Sequence, residues 1–375
     1  MHADPPRKER AFLVYAHRKR ERGPAAVLHV QEVMAELAEL VRSAGAEVAA
    51  SHVQSVDTEV PGTVVGKGTL GRLKDEVARR EANLVVFQNL LRPKQQARLT
   101  EELGVKTLDR REVILDIFAQ RARTKEGKLQ VELAQLSFRL GRLAGGRKEL
   151  SRLGGGIGTR GPGEKKLEED RRRIRAMIRQ IGRELETVRR TRSLHYRRRR
   201  EVGYPVVALV GYTNAGKSTL FNRMTGAEVF VADQLFATLD PTARKIRLPG
   251  GREAILVDTV GFIHDLPEEL RQAFLATLEG IGEADLLIHV ADGSAEAMES
   301  NIASVDAILS ALSFGEKPAL LAVNKRDLCF PGAGAPEGAL RISARTGEGV
   351  PELTNAIEKE LSLCRPEETV STRPA

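Results

Sequence analysis

The decapeptide "GYTNAGKSTL" at residues 211–220 fits the spacing G-x-x-x-x-G-K-[ST]. It follows the apolar run Val206–Val210 and leads into Leu220 and Phe221, so it reads as strand, glycine-rich loop, then helix. The chemistry of that spacing is anion binding. Gly211 and Gly216 let the backbone wrap inward, so that N–H groups of Tyr212, Thr213, Asn214 and Ala215, and of the helix start through Thr219, point at phosphates. Lys217 is placed to neutralise β- and γ-phosphates, and the Ser218 hydroxyl to reach Mg²⁺. The helix that follows presents its positive N-terminal end to the same anion.

Three further motifs follow in the order that a guanine-nucleotide fold requires. "AILVDTVGF" (254–262) is an apolar strand ending in Asp258, with Gly261 three residues on. Asp258 would hold Mg²⁺ through water, and the Gly261 N–H would meet the γ-phosphate. "PALLAVNKRD" (318–327) is a second apolar strand and ends in Asn-Lys-x-Asp. Guanine carries donors at N1 and N2 that adenine lacks, and the Asp327 carboxylate can accept both. Asn324 would brace this loop, and the Lys325 stem can lie over the base. "LRISART" (340–346) adds a strand leading to Ser343 and Ala344, whose backbone can donate to guanine O6, with Arg345 completing the loop. One such acid alone reads as a cap or a surface group. Four motifs in order, each at the C-terminal end of a strand, place phosphate and base along one sheet edge, where ligands of open α/β sheets bind. The reading is a GTP site.

For hydrolysis, "DQLFATLDPTAR" (233–244) is expected to be a mobile loop that supplies a threonine to Mg²⁺. Thr238 is taken ahead of Thr242. Lys217, Thr238, Gly261 and Asn214 form the expected catalytic set. Phe262 stands directly after the D-x-x-G glycine, where a water-positioning glutamine would act. Phenylalanine cannot orient water, so hydrolysis by the chain alone is expected to be slow. A partner or a cation would then do the orienting. The Asn214 side-chain oxygen is a candidate ligand for K⁺, the alternative being a loop residue bonding its own backbone. His264 is given no role as a base, because phosphoryl transfer needs little base help.

These residues need a scaffold, and 375 residues suffice for two or three domains. The architecture expected is α/β and multidomain. It has an N-terminal α/β domain (1–108), a long helical hairpin or coiled-coil subdomain (109–202), and a P-loop GTPase domain with a mostly parallel sheet (203–365). Residues 366–375 are expected to be disordered from their composition. "AFLVY" (11–15) and "NLVVF" (83–87) have strand length, and "VQEVMAELAELVRSAG" (30–45) has helical spacing. "PGTVVGKGTLGRL" (61–73) reads as a turn, because its Gly-Lys-Gly has neither spacing of a phosphate loop. Helical pattern runs from Asp109 to about Leu143, interrupted at Gly127, and again from about Glu164 to Arg200. Between them "RLGGGIGTRGPGE" (152–164) is either a flexible hairpin tip or a tip that inserts into a partner. Along the second helix Ile174, Met177 or Ile178, Ile181, Leu185, Val188 and Leu194 form one narrow apolar stripe on a basic surface. Past Pro267 a further helix is expected, with Phe274, Leu275 and Leu278 on its apolar face.

Charge is uneven. Residues 1–159 hold 28 Lys/Arg against 20 Asp/Glu, residues 160–200 hold 16 against 6, and residues 203–365 hold 14 against 22. A basic first half reads either as a solvated, ion-paired helical surface or as a surface for a polyanion, with nucleic acid ahead of membrane, since no stretch has the length and hydropathy of a membrane span. Cys329 and Cys364 are too few for a disulfide framework, which points to a reducing compartment and the cytoplasm.

"LFATLDPT" (235–242), "DTVGFIHDLP" (258–267) and "AFLATLEGIGEADLLIHVAD" (273–292) resemble the G domain of the HflX GTPases. "GTVVGKG" (62–68), "LDRREVILDIFAQRARTKEGKLQVELAQL" (108–136) and "GGIGTRGPGEKKLEEDRRRIR" (155–175) are similar to the family's N-terminal half, which generic GTPases lack. The resemblance covers about residues 10–365. It implies a GTPase that cycles between GTP and GDP, binds the large ribosomal subunit and its rRNA through the basic half, and splits or rescues stalled ribosomes; a monomer is expected. It also implies the inserting role for the glycine-rich tip, and ribosome-stimulated hydrolysis, since phenylalanine after D-x-x-G is usual in the family. Some members carry a further C-terminal domain, which is not seen after Cys364 here. Some are reported to use ATP through the N-terminal half, but residues 1–150 show no phosphate loop. Two other readings stay open. One is an RNA-binding module gated by GTP, and the other is a switch for a non-ribosomal protein.

Overall fold

The structure, a computed structural model, describes residues 8–19, 24–145, 162–201, 203–226, 235–236, 242–264, 281–329 and 334–364. It divides into two compact units, with the boundary at Glu186–Thr187.

In the first unit β1 (Arg10–Arg18), β2 (Glu47–Val56), β3 (Leu84–Phe87) and β4 (Lys106–Asp109) form a parallel sheet in the order β2-β1-β3-β4. Parallel neighbours need crossovers, and α1 (Pro24–Ser43), α2 (Lys67–Arg79) and α3 (Pro93–Leu103) supply them. All four residues of β3 are buried, as a strand covered on both faces requires. The string read as a turn is a turn only as far as Gly66; Lys67 and Gly68 open α2. Burial of Leu70, Leu73 and Val77 along one face of that helix outweighs its glycines.

Next come α4 (Arg110–Arg121) and α5 (Lys125–Gly145). The break expected at Gly127 falls instead at 122–124. The Gly127 N–H donates to Thr124 Oγ1 at 2.9 Å, so Thr124 caps α5 and the glycine lies within its first turn. Asp109 caps α4 in a reciprocal box with Glu112. Helix α6 (Pro162–Glu201) runs 40 residues. Its Ile174, Ile178, Ile181 and Leu185 pack on Leu129, Leu133 and Leu136 of α5. Ile178 therefore fills the stripe and Met177 faces solvent. Residues 152–161 of the glycine-rich tip, the side chain of Leu194 and residues 365–375 lie outside the described residues.

The second unit holds a six-stranded sheet, β10-β9-β8-β5-β7-β6. Its strands are β5 (Val206–Val210), β6 (Thr242–Arg247), β7 (Glu253–Asp258), β8 (Leu286–Asp292), β9 (Ala319–Asn324) and β10 (Leu340–Arg341). All neighbours are parallel except β6 and β7. Helices α7 (Lys217–Thr225), α8 (Met298–Ala311) and α9 (Val350–Cys364) accompany the sheet, with a short 3-10 turn at Arg326–Leu328. Val207, Leu209, Phe221, Ile288, Leu353 and Ile357 belong to one core cluster. The loop expected over 233–244 ends sooner, because Thr242–Arg244 already pair with Leu256–Asp258 as part of β6. Thr238 and the helix expected past Pro267 lie outside the described residues. Among those residues no helix is long and apolar enough to cross a membrane.

Candidate nucleotide site

Central strand β5 is buried throughout and delivers the chain to Gly211, whose φ is +148°. A Cβ there would stand 2.2 Å from the Val290 carbonyl oxygen of β8, so only glycine lets the loop leave the sheet so close to its neighbour. Asn214 and Gly216 turn the loop back, with φ of +61° and +90°. Helix α7 then opens at Lys217. Its ammonium donates to the carbonyls of Gly211 at 3.1 Å and Tyr212 at 2.7 Å, closing the loop on itself. Burial pulls the Lys217 pKa down to about 8, while the Asp258 carboxylate acts the other way. The Ser218 hydroxyl, in the first turn with Thr219, donates to Asp258 Oδ2 at 2.7 Å. Asp258 itself is fully buried at the end of β7.

Gly261 lies directly against the loop. A Cβ on it would be 2.7 Å from Thr213 Cα and 3.0 Å from Lys217 Nζ. Two backbone hydrogen bonds join the segments, from Thr213 N–H to the Phe262 carbonyl at 2.7 Å and from Phe262 N–H to the Gly211 carbonyl at 3.0 Å. The Phe262 ring is buried. The Tyr212 hydroxyl accepts from the His264 N–H at 2.9 Å. Nδ1 of His264 lies 3.1 Å from Ser304 Oγ of α8.

At the other end, Asn324 Nδ2 donates to the Ala215 carbonyl at 2.8 Å, and Asn324 Oδ1 accepts from the Ala344 N–H at 2.8 Å. One side chain thus bridges the phosphate loop and the 343–345 loop. The Ser343 hydroxyl donates to Asp327 Oδ1 at 2.6 Å, and the Arg345 guanidinium stands 3.9 Å from Asp327 Oδ2. The Ser343 N–H is engaged by the Glu348 carbonyl. Both N–H groups expected to donate to guanine O6 thus have acceptors in this structure, the Glu348 carbonyl for Ser343 and Asn324 Oδ1 for Ala344. Lys325 takes φ +62° and its ammonium meets Asp292 Oδ2 at 2.7 Å. Thr242 sits in β6 directly opposite Asp258.

Three family matches cover most of the chain. They are described as GTP-binding GTPase N-terminal (31–119), GTP-binding GTPase Middle Region (121–199) and 50S ribosome-binding GTPase (206–325). The GTPase HflX of Caldanaerobacter subterraneus subsp. tengcongensis is 51% identical over 331 residues, 88% of this chain and 77% of that protein. The GTPase HflX of Escherichia coli K12 is 45% identical over 338 residues, 88% of this chain and 79% of that one. The chain belongs to the HflX GTPases. A solved GTP-binding protein from Sulfolobus solfataricus, in complex with GDP, aligns over 95% of this chain and 100% of that one, at 22% identity and a TM-score of 0.48.

As an HflX GTPase the chain binds guanine nucleotide and hydrolyses GTP, and the α/β architecture with a P-loop GTPase fold accords with that. The converging Ser218 hydroxyl and Asp258 carboxylate suit Mg²⁺, which takes oxygen ligands from one or two carboxylates and completes its shell with water and substrate phosphates. Among the described residues no cluster of three His, Cys, Asp or Glu side chains would hold a metal by itself. Sequence reasoning missed Arg223, at the far end of α7. Its Nε donates to the Ala344 carbonyl at 3.2 Å and its Nη2 to the Arg345 carbonyl. It missed Asp292 and the Tyr212 hydroxyl too. No spacing signal could have found them, because each acts on a partner far off in sequence.

Proposed function

We propose that this HflX GTPase binds the large ribosomal subunit and its rRNA, and uses GTP binding and hydrolysis to split or rescue ribosomes in the cytoplasm. One observation carries the partner. Arg172, Arg175, Arg179 and Arg183 of α6 are exposed and follow helical spacing, while the apolar stripe of the same helix is covered by α5. A line of exposed arginines suits phosphates. The 206–325 match, to a family described as 50S ribosome-binding GTPase, supports rRNA as their source. We read residues 1–108, 109–202 and 203–365 as N-terminal domain, helical hairpin and G domain.

The reaction is in-line attack by water on the γ-phosphate of GTP, giving GDP and phosphate. Lys217 and the loop N–H groups, with that of Gly261, stabilise charge on the transferring group. Ser218 and Thr238, with Asp258 through water, would hold Mg²⁺, which when bound would neutralise phosphate charge. Asp327 selects guanine. The Phe262 side chain offers water no polar atom, so orientation would fall to the ribosome or to K⁺, for which Asn214 would be the ligand.

GTP turnover with and without purified large subunits, in potassium and in sodium buffer, tests this. Strong stimulation by subunits is expected. GTP binding without stimulation would overturn the ribosomal activator, and equal rates in the two buffers would remove the cation from Asn214. The buried Phe262 favours one other reading, a GTP-gated RNA-binding module whose turnover is incidental. Subunit separation that proceeds fully with a non-hydrolysable GTP analogue would select it.

A further inference from the structure

We infer that Asp292, outside every nucleotide motif, is a positioning residue for guanine recognition that holds Lys325 across the base site. The inference rests on reading Asn324–Asp327 as the base loop. Strand β8 ends at Asp292, paired with Asn324 at the end of β9. Its two carboxylate oxygens have separate tasks. Oδ2 takes the Lys325 ammonium at 2.7 Å. Oδ1 accepts from the Ser294 N–H at 3.0 Å and the Ser294 hydroxyl at 2.6 Å. The carboxylate is thus oriented by its own turn before it meets the lysine.

That turn is built against the base loop. A Cβ on Gly293 would lie 2.7 Å from Val323 Cγ1, 3.0 Å from the Asn324 carbonyl oxygen and 3.1 Å from Cys329 Sγ. The Gly293 N–H donates to the Asn324 carbonyl at 2.9 Å. At the other end of the side chain, Lys325 is held in the left-handed region, φ +62°, where a residue with a Cβ is uncommon. Backbone and ammonium are therefore both fixed, and the four-carbon stem is strung between them. A stem so held presents an apolar face to a purine without first losing rotamer freedom, which an untethered lysine would have to give up on binding. The pair is only about one-fifth exposed, 21% for Lys325 and 20% for Asp292, so water screens it less than a surface pair. Asp292 acts on base affinity without touching the base.

The test uses the full chain and release of fluorescent GDP. Asp292→Asn removes the anion and keeps the size, and Lys325→Met keeps an apolar stem without its charge. Asp292→Asn is expected to speed GDP release by about three- to tenfold, and to add nothing in the Lys325→Met background. Wild-type release, or an undiminished effect in that background, would overturn the inference. If Asp292→Asn fails to fold, Ser294→Ala should speed release in the same direction by less, and an unchanged rate counts against the inference. Asp327→Asn is run alongside. If it does not shift preference toward xanthine nucleotides, the base-loop reading fails and takes the inference with it. If it does shift while Asp292→Asn is silent, only the role of Asp292 falls.

Discussion

Lys217 is buried and donates to two carbonyls, yet in the role we propose it has to present a positive charge to a triphosphate. Burial brings its pKa down to about 8, Asp258 from β7 opposing. His289 from β8 does not titrate in the same window. Burial holds its pKa below the ordinary histidine value, with Asp306 opposing and Lys217 adding to the depression, so it is neutral above pH 7. A bound triphosphate favours the ammonium and raises the Lys217 pKa. Nucleotide binding above about pH 8 therefore takes up a proton, and affinity must fall as pH rises. Little change is expected below pH 8, and a loss of about tenfold between pH 7 and pH 9. Titration of GTP affinity across that range checks it, with Lys217→Met expected to bind weakly and without the pH dependence. A flat wild-type profile would show that the lysine is charged throughout.

The phosphate loop and residues 261–264 behave as one element, because backbone bonds pair Tyr212 with Phe262 and the Tyr212 hydroxyl holds the His264 N–H. The segment we propose to sense the γ-phosphate is thus tied to the phosphate loop. Tyr212→Phe deletes one hydrogen bond and keeps the ring against His264. One such bond is worth about 1 kcal/mol, so single-turnover GTP hydrolysis should slow about fivefold. GDP release should not change, because the hydroxyl does not serve the base loop. A matching change in GDP release would make Tyr212 a general prop of the fold, and no change in hydrolysis would remove the tie. Elements of this kind were only partly legible. Strands β5, β7 and β9 announce themselves as apolar runs because parallel strands are buried on both faces. Strand β6, with Ile246 as its one fully buried position, carries a polar sequence at the sheet edge and passes for loop. The start of α5 was misplaced for a local reason, since Thr124 caps it and makes Gly127 harmless. The motif residues were legible by spacing, whereas Arg223, Asp292 and the Tyr212 hydroxyl depend on which loops the sheet order brings together.

At the scale of the whole molecule the net positive charge lies in the first unit, the second being close to neutral, and the first holds the exposed arginines of α6 ahead of Glu186. If those arginines meet phosphates of rRNA, each contact releases counterions, and log affinity falls with log salt by about 0.7–0.9 per phosphate. Replacing Arg172, Arg175, Arg179 and Arg183 with alanine should therefore do two things to large-subunit binding. It should weaken it at low salt, and it should flatten the salt slope by about 3. GTP hydrolysis by the isolated chain should stay as it is, since the four residues belong to the first unit and the nucleotide motifs to the second. Stimulation by large subunits should be lost at subunit concentrations that saturate the wild type, and return when subunits are raised or salt is lowered. That recovery separates a docking role from a catalytic one: arginines acting on the γ-phosphate would leave a deficit that no subunit concentration restores. An unchanged slope would mean that α6 does not face the RNA, and that its basic surface serves the fold of the first unit.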